Sequence, residues 1–310
     1  MTANFLRKVM GKKVKDAKRE SQNKAKTSFE VGVAQNQAPI KAQGKKDKEE
    51  NDTGAKIPFK QVSSKCAIGN IRTMPLRVDK FDQLLSDTGV ERGSTTLITG
   101  GAGTGKTTFC MQSIYHAAMN GEKCVYLSFE EDPAKIMLHM KKNFGWDFCK
   151  LEEKGLIAII KIDPSKIARM VEGILASESG GLKIKLPTLD LPIKPDRICV
   201  DSLSALSIAF EHEDSYRKYI RELFELLESY NSVNLVIGET EQNPKVYSRS
   251  GVEEFLADGV VVLYNIRVRG KRRNALEILK MRSGSHVKEI VPYKLGPNGI
   301  EILTNQTYEM

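Results

Sequence analysis

Gly100-Gly101-Ala102-Gly103-Thr104-Gly105-Lys106-Thr107 is the stretch that decides the fold. It fits G-x-x-x-x-G-K-[ST] at every specified position. Glycines let the backbone curl until successive N–H groups point at one anion. Thr95–Thr99, just before, is short, apolar and strand-like. Thr107–Asn120, just after, has helix length and is stopped by Gly121. Strand, glycine turn and helix N-terminus in that order make a phosphate cradle, since both the free N–H groups and the helix dipole favour negative charge. Gly101, Ala102, Gly103, Thr104 and Gly105 are expected to wrap the phosphates, with Thr108 in the helix's first turn beside them. Lys106 is expected to reach the β- and γ-phosphates and the Thr107 hydroxyl to ligate Mg²⁺.

Outward from the cradle, apolar runs alternate with helical patterns. Cys124–Phe129, Leu156–Ile160, Arg197–Asp201 and Asn234–Gly238 read as strands. Ser215–Ser229 puts Tyr216, Tyr219, Ile220, Leu223, Leu226 and Leu227 on one helix face. This βαβ rhythm predicts a mainly parallel sheet flanked by helices on both faces. The last fifty residues differ. Val260–Arg267 and Ala275–Lys280 are strand-like and joined by a charged turn over Gly270–Asn274. Val287–Pro292 and Gly299–Leu303 follow, so a C-terminal antiparallel extension is expected. Leu182–Lys194, with its prolines, reads as an irregular insertion.

Two acidic signals accompany the cradle. Ile198-Cys199-Val200-Asp201 is an apolar strand ending in a carboxylate, the type of residue that holds the magnesium of a bound phosphate chain. Ser128-Phe129-Glu130-Glu131 brings two carboxylates to the end of another strand, where open α/β sheets bind ligands. One could polarise an attacking water as general base and the other orient it. The pair could equally be the acidic start of a helix, because Asp132-Pro133 follows. Glu239-Thr240-Glu241 ends the fifth strand and could sense nucleotide state.

Composition limits the function classes. The chain has 310 residues, 48 Lys+Arg and 39 Asp+Glu, for a net charge of +9. Residues 1–60 carry 15 of the cations and 7 of the acids, so the basic character belongs to this arm and not to the body. Its Lys, Gln, Ala, Asn and Glu cannot bury enough surface to offset chain entropy, and disorder is expected there. Phe5, Leu6, Val9, Met10 and Val14, flanked by lysines, could form a short amphipathic helix or be scattered residues of a tail. No run approaches the roughly 18 apolar residues of a membrane span, and no secretory leader is evident. The five cysteines, Cys66, Cys110, Cys124, Cys149 and Cys199, form no C-x-x-C pair. That argues against a zinc site or disulfide framework and for a cytoplasmic chain. A basic arm 1–60 and a catalytic domain 61–310 are the expected division. Trp146 reads as core, and His116 and His139 as structural. Lys271-Arg272-Arg273 reads as a solvated turn or as a contact to nucleic acid.

Residues 66–310 resemble a single KaiC-type ATPase domain of the RecA superfamily, which implies a RecA-like P-loop NTPase core. The resemblance rests on Phe81-Asp82-Gln83-Leu84-Leu85, Arg92-Gly93, the P-loop, the Glu130-Glu131 pair and the closing segment. That segment is Gly251-Val252-Glu253-Glu254-Phe255, Asp258, then Lys280-Met281-Arg282, Ser285, His286 and Lys288-Glu289. Ser86-Asp87-Thr88-Gly89 departs from the family's Gly-Gly.

The resemblance implies a hexameric ring with ATP and Mg²⁺ between subunits. Lys106, Thr107, Asp201, Glu130 and Glu131 would act in one subunit. Lys280, Arg282 and His286 would reach the γ-phosphate from its neighbour, with Lys288 on the nucleotide. Charges on a solvated strand would give the same alternation of Lys280 and Arg282. The segment that carries a Ser-Thr phosphoacceptor pair in one half of KaiC has Glu253, Glu254 and Phe255 here, so hydrolysis is implied rather than autophosphorylation. The expected role is regulation or signalling through an unidentified protein partner. The competing readings are a DNA-binding recombination ATPase of the RecA or RadA kind and a nucleotide-binding scaffold with little hydrolysis. Nucleic acid or an anionic surface could engage residues 1–60.

Overall fold

The structure is a computed structural model that describes residues 72–166, 169, 189–207, 213–241, 247–248 and 251–306. The basic arm, its amphipathic start, Cys66 and residues 182–188 of the insertion lie outside the described residues.

Nine strands form one sheet in the order β11-β10-β9-β8-β3-β7-β6-β4-β5, counting strands in chain order. Six of them are parallel: β3 (Thr95–Gly100), β4 (Cys124–Ser128), β5 (Ile157–Lys161), β6 (Arg197–Asp201), β7 (Val233–Ile237) and β8 (Gly259–Val268). Every residue of β3, β4 and β7 is buried, as expected where helices cover both faces. β9 (Lys271–Met281), β10 (Val291–Gly296) and β11 (Gly299–Ile302) extend the sheet antiparallel. A separate pair, β1 (Thr73–Met74) and β2 (Val90–Glu91), brackets a 3-10 turn at Phe81–Leu84.

Alternate strand residues feed two cores, because neighbouring side chains point to opposite faces. Ile98, Tyr126 and Cys199 join the core under α1 (Lys106–Met119), which also holds Trp146, Tyr293 and Ile300. Leu97, Val125 and Val200 join the core under the helix Glu213–Ser229, built on Tyr216, Tyr219, Ile220, Leu223 and Leu227. Trp146 is buried, stacked between Phe144 and Tyr115. His116 meets the same aromatic group edge-on.

Two expectations are corrected at the C-terminal end. The hairpin between β8 and β9 turns on Arg269-Gly270 alone, with φ of 47° and 79°. Positive φ at both central residues gives the turn whose twist matches paired strands, so the strands run on to Val268 and Lys271. The next strand starts at Val291 and not at Val287. Residues 285–287 pair instead with the turn at Leu84–Ser86, through Ser86 N–H to Ser285 O (3.0 Å) and Val287 N–H to Leu84 O (2.9 Å).

Candidate active site

The C-terminal ends of β3, β4, β6 and β7 meet around a cavity of about 350 Å³. Gly103, Gly105, Lys106 and Thr107 form one wall, Glu130 and Glu131 a second, and Asp201, Ser202 and Glu239 the third. Gly100 is required by close approach, since a Cβ there would sit 2.2 Å from the Leu263 carbonyl oxygen. Gly105 starts α1 with φ of 89°, a conformation that favours glycine. Inside the loop, Thr104 Oγ1 donates to Gly101 O at 2.9 Å.

Lys106 folds back onto its own loop. Its ammonium donates to Gly100 O at 2.9 Å and Gly101 O at 3.1 Å. Burial pushes its pKa below the usual lysine value, while Glu239 and Asp201 oppose that shift. A phosphate entering the loop could take over those hydrogen bonds.

Thr107 Oγ1 donates to Asp201 Oδ2 at 2.9 Å, joining the cradle to the strand-end acid. The buried Tyr126 hydroxyl donates to the same carboxylate oxygen. Burial raises the Asp201 pKa, and these two donors pull it back down. The pair of hard oxygens fits a small divalent cation that draws its other ligands from phosphate and water. Among the described residues no group of three His, Cys, Asp or Glu could hold a metal.

The two glutamates are held differently. Ser202 Oγ donates to Glu130 Oε1 at 3.3 Å. Glu131 is half exposed and pairs with Lys135 at 3.7 Å, while its carbonyl accepts from Ser128 Oγ at 2.7 Å. The pair lies just ahead of a helix start, since Asp132 caps the following helix, Pro133–Phe144, by accepting from Ala134 N–H at 3.0 Å.

Lys280, Arg282, His286 and Lys288 do not line this cavity. β9 runs antiparallel to β8, so Lys280 and Arg282 lie beside Val260, Gly259 and Asp258, at the sheet edge opposite the P-loop. Lys280 Nζ donates to Glu254 O (3.2 Å), Phe255 O (3.3 Å) and Ala257 O (2.5 Å), closing off the short helix Glu253–Leu256. Burial and the nearby Arg282 lower its pKa. Arg282 pairs with Asp258 at 3.2 Å, and its side chain is 58% exposed. Lys288 Nζ lies 3.1 Å from His286 Nε2.

Sequence reasoning missed Tyr126, Ser202 and Tyr293. The Tyr293 hydroxyl donates to Thr104 O, on the outer side of the P-loop. Gln112 of α1 accepts from Ile300 N–H at 2.7 Å and donates to Ile300 O at 3.0 Å. Only the place of Tyr126 within the unbroken apolar run Cys124–Leu127 could have suggested a buried phenol.

With that geometry in hand, comparison with known proteins decides the family. The sequence profile of the KaiC ATPase family matches residues 74–307. The chain belongs to the KaiC ATPase family. The circadian clock oscillator protein KaiC of Synechococcus elongatus is 32% identical over 240 residues, covering 76% of this chain and 44% of that protein. KaiC of Parathermosynechococcus lividus is 33% identical over 245 residues, covering 76% and 43%. The chain thus spans less than half the length of these curated relatives. The crystal structure of a KaiC-like protein from Pyrococcus horikoshii has 31% identity and a TM-score of 0.62, covering 75% of this chain and 99% of that one. The sheet is accordingly of the RecA type, in a KaiC-like ATPase domain. No described helix is long and apolar enough to cross a membrane.

Proposed function

We propose that the chain binds Mg-ATP and hydrolyses it slowly at interfaces between copies of itself, arranged as a hexameric ring. One observation carries the reading: the groups expected to act on one γ-phosphate are split between opposite edges of the sheet. Lys106, Thr107, Asp201 and Glu130 surround one cavity. Arg282 lies beyond the other ends of strands five or six residues long, roughly 17 Å away along the strands. It cannot serve its own P-loop, but in a head-to-tail assembly it can serve another's. Phe255, 65% exposed on the helix that Lys280 closes off, gives that edge an apolar contact.

In this mechanism Lys106 leaves the Gly100 and Gly101 carbonyls for the phosphates. Thr107 and Asp201 would hold Mg²⁺, which would neutralise phosphate charge. Glu130, oriented by Ser202, polarises the attacking water, and Glu131 helps to orient it. Arg282 of the next copy stabilises charge developing on the γ-phosphate, and Lys280, His286 and Lys288 support that edge. A slow ATPase of this kind suits regulation or signalling, with a protein partner reading the ring's nucleotide state, in a cytoplasmic setting. Hydrolysis is favoured over autophosphorylation, because Glu253 and Glu254 in the matching segment are buried, with Tyr216 Oη donating to Glu253 at 2.6 Å.

The test is ATP hydrolysis per subunit across a range of protein concentrations. Specific activity should climb with concentration and collapse in both Glu130→Gln and Arg282→Ala. Activity independent of concentration and untouched by Arg282→Ala would sink the shared site. ATP that binds and persists would favour the scaffold.

A further inference from the structure

β8 and β9 outrun the rest of the sheet. β3 pairs with β8 only as far as Leu263, and β10 pairs with β9 only from Asn274. Among the described residues, 266–273 therefore pair only with each other, as a two-stranded ribbon closed by the Arg269-Gly270 turn. It projects by about 10 Å at a rise of roughly 3.4 Å per residue, from the same sheet edge as the P-loop.

This ribbon carries Arg267, Arg269, Lys271, Arg272 and Arg273 and no acid, and all five cations are exposed. Arg267 stands directly across from Arg272. Like charges directly opposite on a ribbon destabilise it, and one or two charges suffice to protect an exposed edge. Arg269 also occupies a left-handed turn position, at φ 47°, which costs a non-glycine residue. Residues 61–310 as a whole hold 33 cations and 32 acids. Five of those cations fall in these eight residues, on a body otherwise slightly acidic. Arg272 donates to Asn265 O at 2.9 Å. No ion pair joins any of the five to an acid among the described residues.

We infer that the ribbon docks on the phosphate backbone of duplex nucleic acid. Its composition separates this partner from others. Protein interfaces centre on apolar or aromatic anchors and are depleted of charge at their core, whereas Val268 is the only large apolar side chain exposed on this tip. Single strands are held by aromatic stacking, and the tip has no aromatic residue. Duplex binding needs only closely spaced cations, and a two-stranded ribbon fits the major groove.

The test measures binding of the full chain to a fluorescent 30-base-pair duplex by anisotropy, without nucleotide, against salt. The variant Arg267→Gln, Arg269→Gly, Lys271→Gln, Arg272→Gln, Arg273→Gln should bind at least tenfold more weakly. The slope of log affinity against log salt should become shallower by about four, at roughly 0.9 per phosphate contact. Its melting temperature should be no lower than that of the wild type, since the Arg267–Arg272 repulsion and the Arg269 strain are relieved, and its ATP affinity should match. A companion with all four arginines changed to lysine should bind within about threefold of wild type. Absence of salt-dependent duplex binding would overturn the inference. So would undiminished binding by the glutamine variant, whether the arm 1–60 carries it or not, or loss of binding in the lysine companion. Binding of poly-glutamate as tight as duplex, lost in the same variant, would reassign the ribbon to an acidic protein.

Discussion

The two edges of the parallel sheet use charge in different ways. At the edge where strands end, Lys106, Asp201 and Glu130 each touch another polar group of the same chain around a shared cavity. At the edge where strands begin, two arginines have opposite surroundings. Arg197 is fully buried, donating to Ser113 Oγ, Pro75 O and Glu122 Oε2, each at 2.9 Å. Arg282 keeps one acid and much of its surface in solvent. Arg197 is therefore a structural cation, whereas Arg282 has capacity left for a second partner. Charge alone does not separate these two arginines; the share of each that stays open to solvent does.

The largest break in that contrast comes from the first edge. Glu130→Gln should lower the hydrolysis rate by about a thousandfold, the scale of general base catalysis, with ATP affinity within a fewfold by equilibrium binding. A modest rate loss would move the base to Glu131. Arg197→Ala should cost about 3 kcal/mol in urea unfolding, because it empties a fully buried site, leaves Pro75 O and Ser113 Oγ without their donor, and leaves Glu122 to its ion pair with Arg77. Hydrolysis per folded subunit should not change; a selective loss of rate would erase the distinction between the arginines.

Arg282→Ala should do the reverse. It should lower the rate about a hundredfold, the scale of one transition-state donor, with the urea midpoint nearly unmoved. Mixing it with Glu130→Gln should restore part of the activity, since each supplies what the other lacks. The smallest effect belongs to Tyr293→Phe, which removes the donor to Thr104 O. It should cost about 1 kcal/mol of stability and raise KM for ATP more than it lowers kcat.

How far these features could be read in advance follows from their range along the chain. The P-loop, the strand ending in Asp201 and the βαβ order are local patterns, and each is where the residues placed it. The charged turn expected over Gly270–Asn274 leaves Arg269 out, because arginine at positive φ leaves no compositional trace. The role proposed for Arg282 depends on which edge β9 returns to, a matter of strand pairing. Tyr126, Ser202 and Gln112 act across contacts separated by 75, 72 and 188 residues. Tyrosine, serine and glutamine are too common for such a distant partner to show in composition.

The Tyr293 contact to Thr104, 189 residues back along the chain, bears on how the protein is made. A ribosome releases the phosphate cradle early, with its strand and helix behind it. The phenol that steadies the cradle's outer side emerges almost two hundred residues later, together with the backbone that Gln112 clasps. Until then the nascent loop lacks its brace, and the grip on nucleotide should tighten only as the final hairpin docks. Nucleotide binding by stalled chains of increasing length would then report the docking of the last strands rather than the folding of the first.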